Sequence, residues 1–465
     1  MQHKSNSSNT HSKAVARFVS NLRFDDIPDK ALERIKILIL DTIGCGIFGA
    51  DLQWSNILFD TLNDIDKYAE HKVLGSKRKL SALNATLLNG TQIQGFELDD
   101  VHRRGVLHVG AVTLPPLMAI AEMGPELSGK DFITAAVAGY EIGPRVGICM
   151  RPDHIGQGWH SGATVGTFSA VSGAASALKL DVEQTLNALG IAGTQAAGLM
   201  AAQYGAMVKR MHAGKSAQSG LLAALLAKKG FTGIRNIFEA PYGGFCTTFS
   251  RSQDRFDIDE LSRGLGKEFE LMNIALKFYS CVGSNHTTLD AIKDIKSRRP
   301  FVTDEIKQIT VWGSQVTIDH VGWPYEPQGL TSAQLNLPFC IATLLLEGDV
   351  SPSQFDATCI TDEKRINLSR KVRCIHDPEI TARGSKLRHM VHVEILFFDG
   401  TSEKQTREFQ RGSELDFADD DTVIKKFKSL TNEKITAEQQ DRIIDSTLSI
   451  ERLKNVKPFI NLITC

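Results

Sequence analysis

The hydrophobic pattern of this chain changes near Leu276, and that change limits the folds that the chain can adopt. Up to about Glu270, apolar residues recur three and four positions apart, which places them on one face of a helix. In the segment IPDKALERIKILILDTIGCGIFGA, the residues with this spacing are Leu32, Ile35, Leu38, Ile39 and Ile43. Further helices are predicted over 80–94, 114–123, 130–150, 182–192 and 217–228. The sequence therefore predicts a large helical domain before residue 276.

A second, smaller α+β domain is predicted over residues 276–405. The segments EIKQITVWGS and HMVHVEILFFDGTSEKQTREF are rich in β-branched and aromatic residues, as strands are. The residues that alternate along one face of the second segment are Val391, Val393, Ile395 and Phe397. Asp399-Gly400 then predicts a hairpin turn, and LTSAQLNLPFCIATLLLEG predicts a helix between the two strands. After Leu415 the pattern is helical again, and we expect this tail to pack on the first domain or on a partner.

Charge and composition argue against several classes of partner. The formal net charge is −1, so no overall field draws the chain to nucleic acid or to an acidic membrane. No apolar run is long enough to cross a membrane, and the start MQHKSNSSNTHSK lacks a signal core. We expect residues 1–14 to be a disordered arm. The eight cysteines form neither a CxxC pair nor zinc-site spacing, which is typical of reduced thiols in a cytoplasmic protein.

The glycine-rich motifs do not have the context of nucleotide sites. GCGIFG at 44–49 has GxGxxG spacing but ends a helical pattern instead of following a strand, so its glycines indicate close packing. HAGKS ends like a phosphate loop, but Lys209 occupies the position where the first glycine is required. GxSxG, HExxH and EF-hand motifs are absent from the sequence. The motifs therefore indicate neither a nucleotide nor a nucleophilic serine nor a metal ion.

A cationic stretch, QYGAMVKRMHAGK, lies between segments that are mostly small or apolar. Lys209, Arg210 and His212 would be enclosed there, and a buried cation requires an anion. The alternative is a surface turn between two helices. If the stretch is enclosed, a substrate carboxylate would satisfy it, because Lys and Arg are suited to bind carboxylates.

Two other segments contain residues suited to proton transfer. ELDDVHRRGVLH mixes carboxylates with imidazoles, which shift one another's pKa values when buried, although a solvated loop would have the same composition. The charged side chains of this segment are Glu97, Asp99, Asp100, His102, Arg103, Arg104 and His108. His160, in QGWHSGATVGT, precedes an apolar helix and is either structural or close to a carboxylate bound at the helix N-terminus. Aspartates and scattered histidines are weak evidence for a metal site.

A fourth segment, LKFYSCVGSNHTTLDAI, lies at the predicted junction of the two domains, and such junctions favour small-ligand sites. Its candidate side chains are Lys277, Tyr279, Ser284 and His286. Together the four segments supply cations, imidazoles and carboxylates without a cofactor motif. This combination fits proton transfer next to a carboxylate.

Several segments of the chain occur in the order found in one protein family. They are LILDTIGCGIFGA, ELDDVHRRGVLH, GYEIGPRVG, GWHSGATVGT, ALGIAGTQAAGLMAAQYGAMVKRMHAGKSAQSG, YGGF and KFYSCVGSNH. In these segments the chain resembles the MmgE/PrpD family. The segments cover most of residues 15–290, and a weaker similarity continues to the end of the chain. That family includes 2-methylcitrate dehydratase, cis-aconitate decarboxylase and iminodisuccinate epimerase. The motifs ELDD, GWHxGA and QYGxMVKR are most similar to the fungal cis-aconitate decarboxylases.

The resemblance implies a mainly α fold. A helical domain of residues 15–275 and 406–465 would carry an inserted α+β lid domain of residues 276–405. The resemblance also implies a homodimer with its active site in a basic cleft between the domains, which needs no metal or organic cofactor. The implied ligand is a small di- or tricarboxylate, and neither nucleic acid nor a membrane is implied as a partner.

Site residues also follow from the resemblance. His108, His160 and Lys209 fall on active-site positions of the family, and Glu97 stands where the family usually has Asp. The residues that match the family's junction motif KxxPxxxSxH are Lys277, Ser284 and His286, with Ser280 in place of the proline.

Two positions depart from the animal-type decarboxylases of the family. Val101 stands where those enzymes have Thr, and Val282 stands where they have His. Another group must therefore supply the chemistry of that histidine. The candidates are His286, Tyr279 and His102.

We hypothesise that Lys209 stabilises the negative charge that builds on a substrate carboxylate next to the reacting carbon. His108 and His160 would transfer protons, and Glu97 and Asp99 would orient these imidazoles. The predicted substrate-binding residues are Arg210, His212, Lys277, Tyr279, Ser284, His286, His102 and Arg104.

These roles fit a cofactor-independent lyase that decarboxylates cis-aconitate to itaconate or dehydrates a substrate like 2-methylcitrate. An epimerase of the iminodisuccinate type, which transfers protons with two bases, is one alternative. A non-catalytic, carboxylate-binding dimeric scaffold is the alternative from another class. The clustered histidines argue against the scaffold, because passive binding of a carboxylate needs only cations.

Overall fold

The structure, a computed structural model, describes residues 10–124, 126–151 and 153–464. It is mainly α, with a smaller α+β part in the second half, as the sequence predicts. Residues 1–9 of the predicted arm lie outside the described residues. Residues 11–14 of that arm instead form the first turn of a helix, which Thr10 caps by accepting a hydrogen bond from the backbone N–H of Lys13.

The first part of the chain is a set of helices that bury one another. Its helices are α1 (His11–Asn21), α2 (Asp29–Gly49), α3 (Gln53–Ile65), α4 (Ala82–Ile93), α5 (Val109–Met123), α6 (Gly129–Met150), α7 (Asp153–Gly156), α8 (Ser161–Thr164), α9 (Gly166–Ala177), α10 (Val182–Gly193), α11 (Val208–Lys228) and α12 (Phe245–Ser250). Nearly every residue of α5, α6 and α9 is buried, because other helices surround these three. None of the described helices is both long enough and apolar enough to cross a membrane.

Two short antiparallel strand pairs connect loops within this first part. Their strands are β1 (His71–Lys72), β2 (Lys79–Leu80), β3 (Val101–His102) and β4 (Ile274–Ala275). Strand β3 pairs with β4, so that Val101 lies opposite Ala275 and His102 opposite Ile274. This pairing fixes the acidic segment at residues 97–108 beside the start of the junction segment at residue 277.

The second part packs helices against a four-stranded sheet. Its elements are α13 (Gly283–Arg298), β5 (Ile306–Gly313), α14 (Gln315–Val321), α15 (Leu330–Leu335), α16 (Leu337–Glu347), α17 (Ala357–Ile360), α18 (Glu363–Ser369), β6 (Val372–His376), α19 (Pro378–Ala382), β7 (Val391–Phe397) and β8 (Ser402–Arg407). The strand order is β6-β5-β7-β8, with β5 and β6 parallel and the other pairs antiparallel.

The predicted strands are confirmed. Alternate residues of β7 are buried, starting with Val391, and β7 turns into β8 through Gly400, whose φ of +85° suits glycine. Strand β6 was not predicted, because its short edge sequence VRCIH is partly buried on one face and exposed on the other.

The C-terminal tail returns to the first part, as expected. Its helices are α20 (Asp420–Thr431), α21 (Ala437–Leu448) and α22 (Lys457–Ile463). Helices α20 and α21 pack on α2, and α22 packs on α5. The boundaries of the two domains at 275/276 and 405/406 stay predictions.

The glycines of GCGIFG serve close packing, as predicted. They lie in the last turns of α2, and a Cβ added to Gly49 would lie 2.1 Å from the carbonyl oxygen of Gln92 in α4. A Cβ on Gly46 would lie 2.5 Å from Leu74. Only glycine allows α2 and α4 to approach this closely.

Candidate active site

A single carboxylate binds three buried cations. Oε1 of Glu97 accepts hydrogen bonds from Lys209 and, at 2.8 Å, from Arg210, and Oε2 accepts one from Lys277 at 3.1 Å. All four residues are buried. If each group is ionised, the cluster carries a net charge of +2, so it can attract a further anion. We refer to Glu97, Lys209, Arg210 and Lys277 as the cation cluster.

Lys209 and Arg210 lie in the first turn of α11, so the alternative of a surface turn is wrong. The predicted helix over 217–228 begins nine residues earlier, at Val208. Small residues explain this close packing: a Cβ on Gly214 would lie 2.0 Å from the carbonyl oxygen of Leu87 in α4. Because α11 presses on α4, its first turn meets the loop that follows α4, where Glu97 lies.

The backbone of Glu97 has the left-handed conformation, with φ of +58° and ψ of +33°. This conformation is unfavourable for a residue with a Cβ, and functional sites often contain such residues. Burial by itself would raise the pKa of the Glu97 carboxyl, but the charges of Lys209, Lys277 and Arg210 hold that pKa well below its usual value. Glu97 is therefore ionised, and its hydrogen bonds go to cations. No hydrogen bond joins Glu97 to an imidazole among the described residues, and its orienting role stays a prediction.

Gln334 connects the cation cluster to the second part of the chain, and the sequence analysis missed it. Its Oε1 accepts a hydrogen bond of 2.8 Å from Arg210. Its Nε2 donates to the carbonyl oxygens of Phe96 and Ser280, at 3.1 and 3.0 Å. Gln334 is buried between Ala333 and Leu335 on α15, and a polar residue between these two apolar ones was the available signal.

His108 lies at the start of α5, next to Asp99. Its Nδ1 is 3.1 Å from Oδ2 of Asp99 but does not make a hydrogen bond to it, so the orienting role of that aspartate stays a prediction. The start of α5 is capped by Asp100, whose Oδ1 accepts from the backbone N–H groups of Val109 and Gly110 at 2.9 and 3.0 Å. Burial raises the pKa of Asp100 to about 6. Asp100 thus positions the helix that carries His108.

His160 and His212 contact each other. Their Nδ1 atoms are 3.0 Å apart, and both rings are buried. Burial, followed by the charge of Lys209, lowers the pKa of each imidazole. Both rings are therefore neutral at neutral pH.

A buried amide lies close to His160. A Cβ added to Gly162 would lie 2.9 Å from Cε1 of His160 and 3.7 Å from Nε2 of Gln94. Both amide atoms of Gln94 are buried, and neither has a hydrogen-bond partner among the described residues. This amide is available to a ligand, and the sequence analysis did not identify it.

His102 and Arg104 are not placed at the cation cluster. The backbone N–H of Gly105 donates to Nδ1 of His102 at 2.9 Å, and Nε2 of His102 therefore donates to Glu270 at 3.0 Å. Both nitrogens of His102 are used within the fold, and its predicted roles in substrate binding and proton chemistry stay predictions. The side chain of Arg104 is exposed. Of the two adjacent arginines, Arg103 is the buried one, and it binds Glu414.

Tyr279 and His286 also have structural partners. The hydroxyl of Tyr279 donates to Asp290 at 2.7 Å, and burial raises the pKa of that phenol. Nε2 of His286 donates to the carbonyl oxygen of Cys281 at 3.2 Å. These bonds lie within the junction segment and α13, and Nδ1 of His286 has no hydrogen-bond partner among the described residues.

A histidine on α14, His320, lies close to the position of Val282. Its Nδ1 lies 3.2 Å from the hydroxyl of Ser284, two residues after Val282. Burial and then the positive charges of Lys209 and Arg388 lower the pKa of His320 to about 4, and Glu97 opposes them. The charges of Lys209 and Glu97 in the cation cluster thus act on His320. The sequence analysis missed His320 because the only charged residue beside it in its segment, TIDHVGWP, is Asp319, and this pattern does not indicate chemistry.

The arrangement supplies each group that chemistry next to a carboxylate needs. The cations can bind and polarise carboxylates, and the imidazoles of His108, His160 and His320 can transfer protons. Among the described residues, no group of three or more His, Cys, Asp and Glu side chains is arranged to hold a metal ion.

Comparison with known proteins gives two matches to family models. The MmgE/PrpD N-terminal domain matches residues 13–257, and the MmgE/PrpD C-terminal domain matches residues 279–452.

Curated relatives match along almost the whole chain. The chain is 35% identical to a cis-aconitate decarboxylase-like protein of Aspergillus oryzae, over 97% of this chain and 96% of that protein. It is 33% identical to the cis-aconitate decarboxylase of Aspergillus terreus, over 97% of this chain and 95% of the relative. The cis-aconitate decarboxylase of Homo sapiens is 26% identical over 79% of this chain and 77% of its own length.

Proposed function

The chain belongs to the MmgE/PrpD family, and we propose that it is a lyase that decarboxylates a small tricarboxylate, with cis-aconitate as the substrate. The family and the full-length relatives support a tricarboxylate lyase. The choice of decarboxylation rests on the names of those relatives together with the geometry of the site.

The observation that carries the proposal is the excess positive charge of the cation cluster. Three buried cations share the single carboxylate of Glu97. Unpaired buried charge is costly, so the cluster favours an anionic ligand that completes the pairing. A substrate with several carboxylates supplies such an anion.

Decarboxylation of cis-aconitate would develop charge where these cations can stabilise it. The bond between the methylene carbon and its carboxylate breaks, and CO₂ leaves. The electron pair forms a new double bond to the central carbon, and the electrons of the old double bond move to the carbon beside another carboxylate. Negative charge spreads onto that carboxylate until the carbon takes up a proton and yields itaconate. Fixed cations around the carboxylate lower the barrier for this step.

The proton would come from one of the imidazoles. Nδ1 of His108 lies 3.1 Å from the carboxylate of Asp99, whereas His160 and His212 are kept neutral by burial and by Lys209. Imidazoles with different surroundings are typical of an acid and a base in one site. We therefore assign the proton donor to His108 and a neutral, hydrogen-bonding or basic role to His160.

Proton NMR of the purified protein in D₂O tests the proposal directly. The protein would be incubated separately with cis-aconitate, citrate, 2-methylcitrate and iminodisuccinate. We expect cis-aconitate to yield itaconate with one deuterium on the saturated carbon beside its carboxylate. We expect the same rate after treatment with EDTA.

Each other result would contradict the proposal in a specific way. New olefin signals from 2-methylcitrate without itaconate would indicate a dehydratase. Deuterium uptake with inversion of iminodisuccinate would indicate an epimerase. Tight binding of cis-aconitate without any exchange would indicate a carboxylate-binding scaffold.

We also propose that the protein is a homodimer, as the family resemblance implies. Light scattering behind a sizing column would test this. The expected mass is twice the 51.1 kDa of one chain.

A further inference from the structure

The imidazoles of His160 and His212 are joined by one hydrogen bond. Their Nδ1 atoms are 3.0 Å apart, the ring centroids are 4.9 Å apart, and the ring planes meet at 41°. A bond between two ring nitrogens holds a single proton, so one ring donates and the other accepts. Both side chains are buried.

The groups that face this pair keep both rings neutral. Burial is the largest cause that lowers the pKa of His160, followed by the charges of Lys209, His212 and His108, and Glu97 opposes them. Burial and then Lys209 lower the pKa of His212. Two neutral rings joined through Nδ1 must be opposite tautomers. The donor ring has a bare Nε2, and the acceptor ring carries its proton on Nε2.

The pair can therefore act as one acid–base unit with two outer nitrogens. When a proton binds the bare Nε2, the first ring becomes neutral again by passing the shared Nδ1 proton to the other ring. That ring can then release a proton from its own Nε2. Neither ring has to hold a positive charge beside Lys209 for long, which matters because that charge disfavours both imidazolium ions.

We propose that His212 is a positioning residue that fixes the tautomer of His160 and exchanges a proton with it during turnover. The inference rests on the proposed function, in which His160 works beside the substrate. It gives His212 a role through His160 in place of direct contact with the substrate.

The placement of His212 on α11 supports this role. His212 follows Lys209 by three residues, so the two side chains lie on one face of the helix. Lys209 contacts Glu97 from that face, and His212 contacts His160. His160 is fixed in turn, because its backbone N–H donates to the carbonyl oxygen of Gly198 at 3.1 Å.

Two substitutions separate proton exchange from packing. His212→Phe keeps the ring volume without either nitrogen, and His212→Asn keeps a polar group near the Nδ1 position but cannot take up a proton. We expect both to lower kcat about 100-fold with KM nearly unchanged, because general acid–base catalysis is lost while binding remains. Both should also remove the same limb from the pH profile of kcat.

A matched control is available at His154. It is another buried histidine beside α8, and its Nε2 bonds the hydroxyl of Thr164 at 2.7 Å. His154→Gln should leave the pH profile of kcat unchanged. An equal change of the profile in this variant would mean that the effect is structural and would overturn the inference.

A second readout does not depend on turnover. NMR of protein labelled with ¹⁵N-histidine distinguishes the two tautomers of each ring. We expect one tautomer for His160 in the unchanged protein and a mixture in His212→Phe. If His160 keeps its tautomer and His212→Asn keeps the full pH profile, the proposal is overturned. A protein that shows the expected tautomer but converts none of the four substrates would contradict the proposed function and not the pairing.

Discussion

Nζ of Lys277 lies 3.1 Å from Oε2 of Glu97, although 180 residues separate the two in the chain. The strand pair β3–β4 holds their segments together. The other oxygen of the same carboxylate binds Lys209 and Arg210. Glu97 thus joins cations from two distant segments, and a change of charge in this cluster should alter both ligand binding and stability.

Lys209→Met should lower kcat/KM for cis-aconitate about 100- to 1,000-fold, since removal of one group that stabilises developing charge has this effect in other enzymes. Glu97 keeps Arg210 and Lys277, so the fold should persist. Lys215→Met, on the exposed side of the same helix, is the control. Kinetics equal to those of the control would show that Lys209 does not act on the substrate.

Glu97→Gln should reduce the free energy of unfolding by about 3–5 kcal/mol, because three buried cations lose their carboxylate. The same variant should be stabilised more by tricarballylate, an unreactive tricarboxylate, than the unchanged protein is. Thermal unfolding with increasing tricarballylate measures both effects. Equal ligand-induced shifts in the two proteins would mean that Glu97 and the ligand do not share the cations.

His320→Asn should lower kcat about 100-fold, if the imidazole next to Ser284 takes part in proton transfer. Asparagine can keep the bond to Ser284 but cannot titrate. His376→Asn, at a half-buried histidine of β6 that bonds Thr381, provides the control. A kcat within experimental error of that control would remove His320 from the acid–base groups.

Lys426→Met should reduce the free energy of unfolding by about 3–5 kcal/mol, because Asp41 is left as an unpaired buried charge. Nζ of Lys426 lies 2.6 Å from Oδ1 of Asp41 and donates to the carbonyl oxygen of Leu98 at 2.7 Å. The double variant Asp41→Asn, Lys426→Met should recover part of the loss. Urea unfolding of the three variants tests this, with the exposed Lys425→Met as control. Additive losses would contradict a direct pair.

His154 should make stability depend on pH. Burial lowers its pKa to about 4 from 6.5, so the folded state resists protonation that the unfolded state accepts. The contribution of His154 to the free energy of unfolding is fully present above pH 6.5. About 3 kcal/mol of it is lost as the pH falls towards 4. Urea unfolding between pH 7.5 and 4.5 should show this loss relative to His154→Gln. Parallel stability curves for the two proteins would contradict the shifted pKa.

Local patterns predicted the elements well. The spacing of apolar residues identified the helices, and the alternation from Val391 to Phe397 identified β7. The start of α11 was missed because Lys209, Arg210 and His212 interrupt the apolar pattern, although the helix runs through them. Their burial comes from contacts with α4 and Glu97, which lie far away in sequence.

The candidate site was predicted in part. Glu97, Asp99, His108, His160, Lys209, Arg210 and Lys277 were identified as site residues, but the interaction of Glu97 with the cations was not. His102, Tyr279 and His286 have hydrogen-bond partners within the fold, which residue type and position near a motif do not reveal. His320 and Gln334 were missed, because their own segments carry no pattern that indicates chemistry.

By itself, the sequence determined the mainly α fold, the two kinds of periodicity, the family and the types of side chain available for catalysis. These depend on local spacing and on motifs that are read along the chain. Only the tertiary structure decided that Glu97 binds three cations, that His160 pairs with His212 and that His320 contacts Ser284. Such pairings depend on distances between segments that are remote in sequence, and hydrogen bonds form only over about 3 Å.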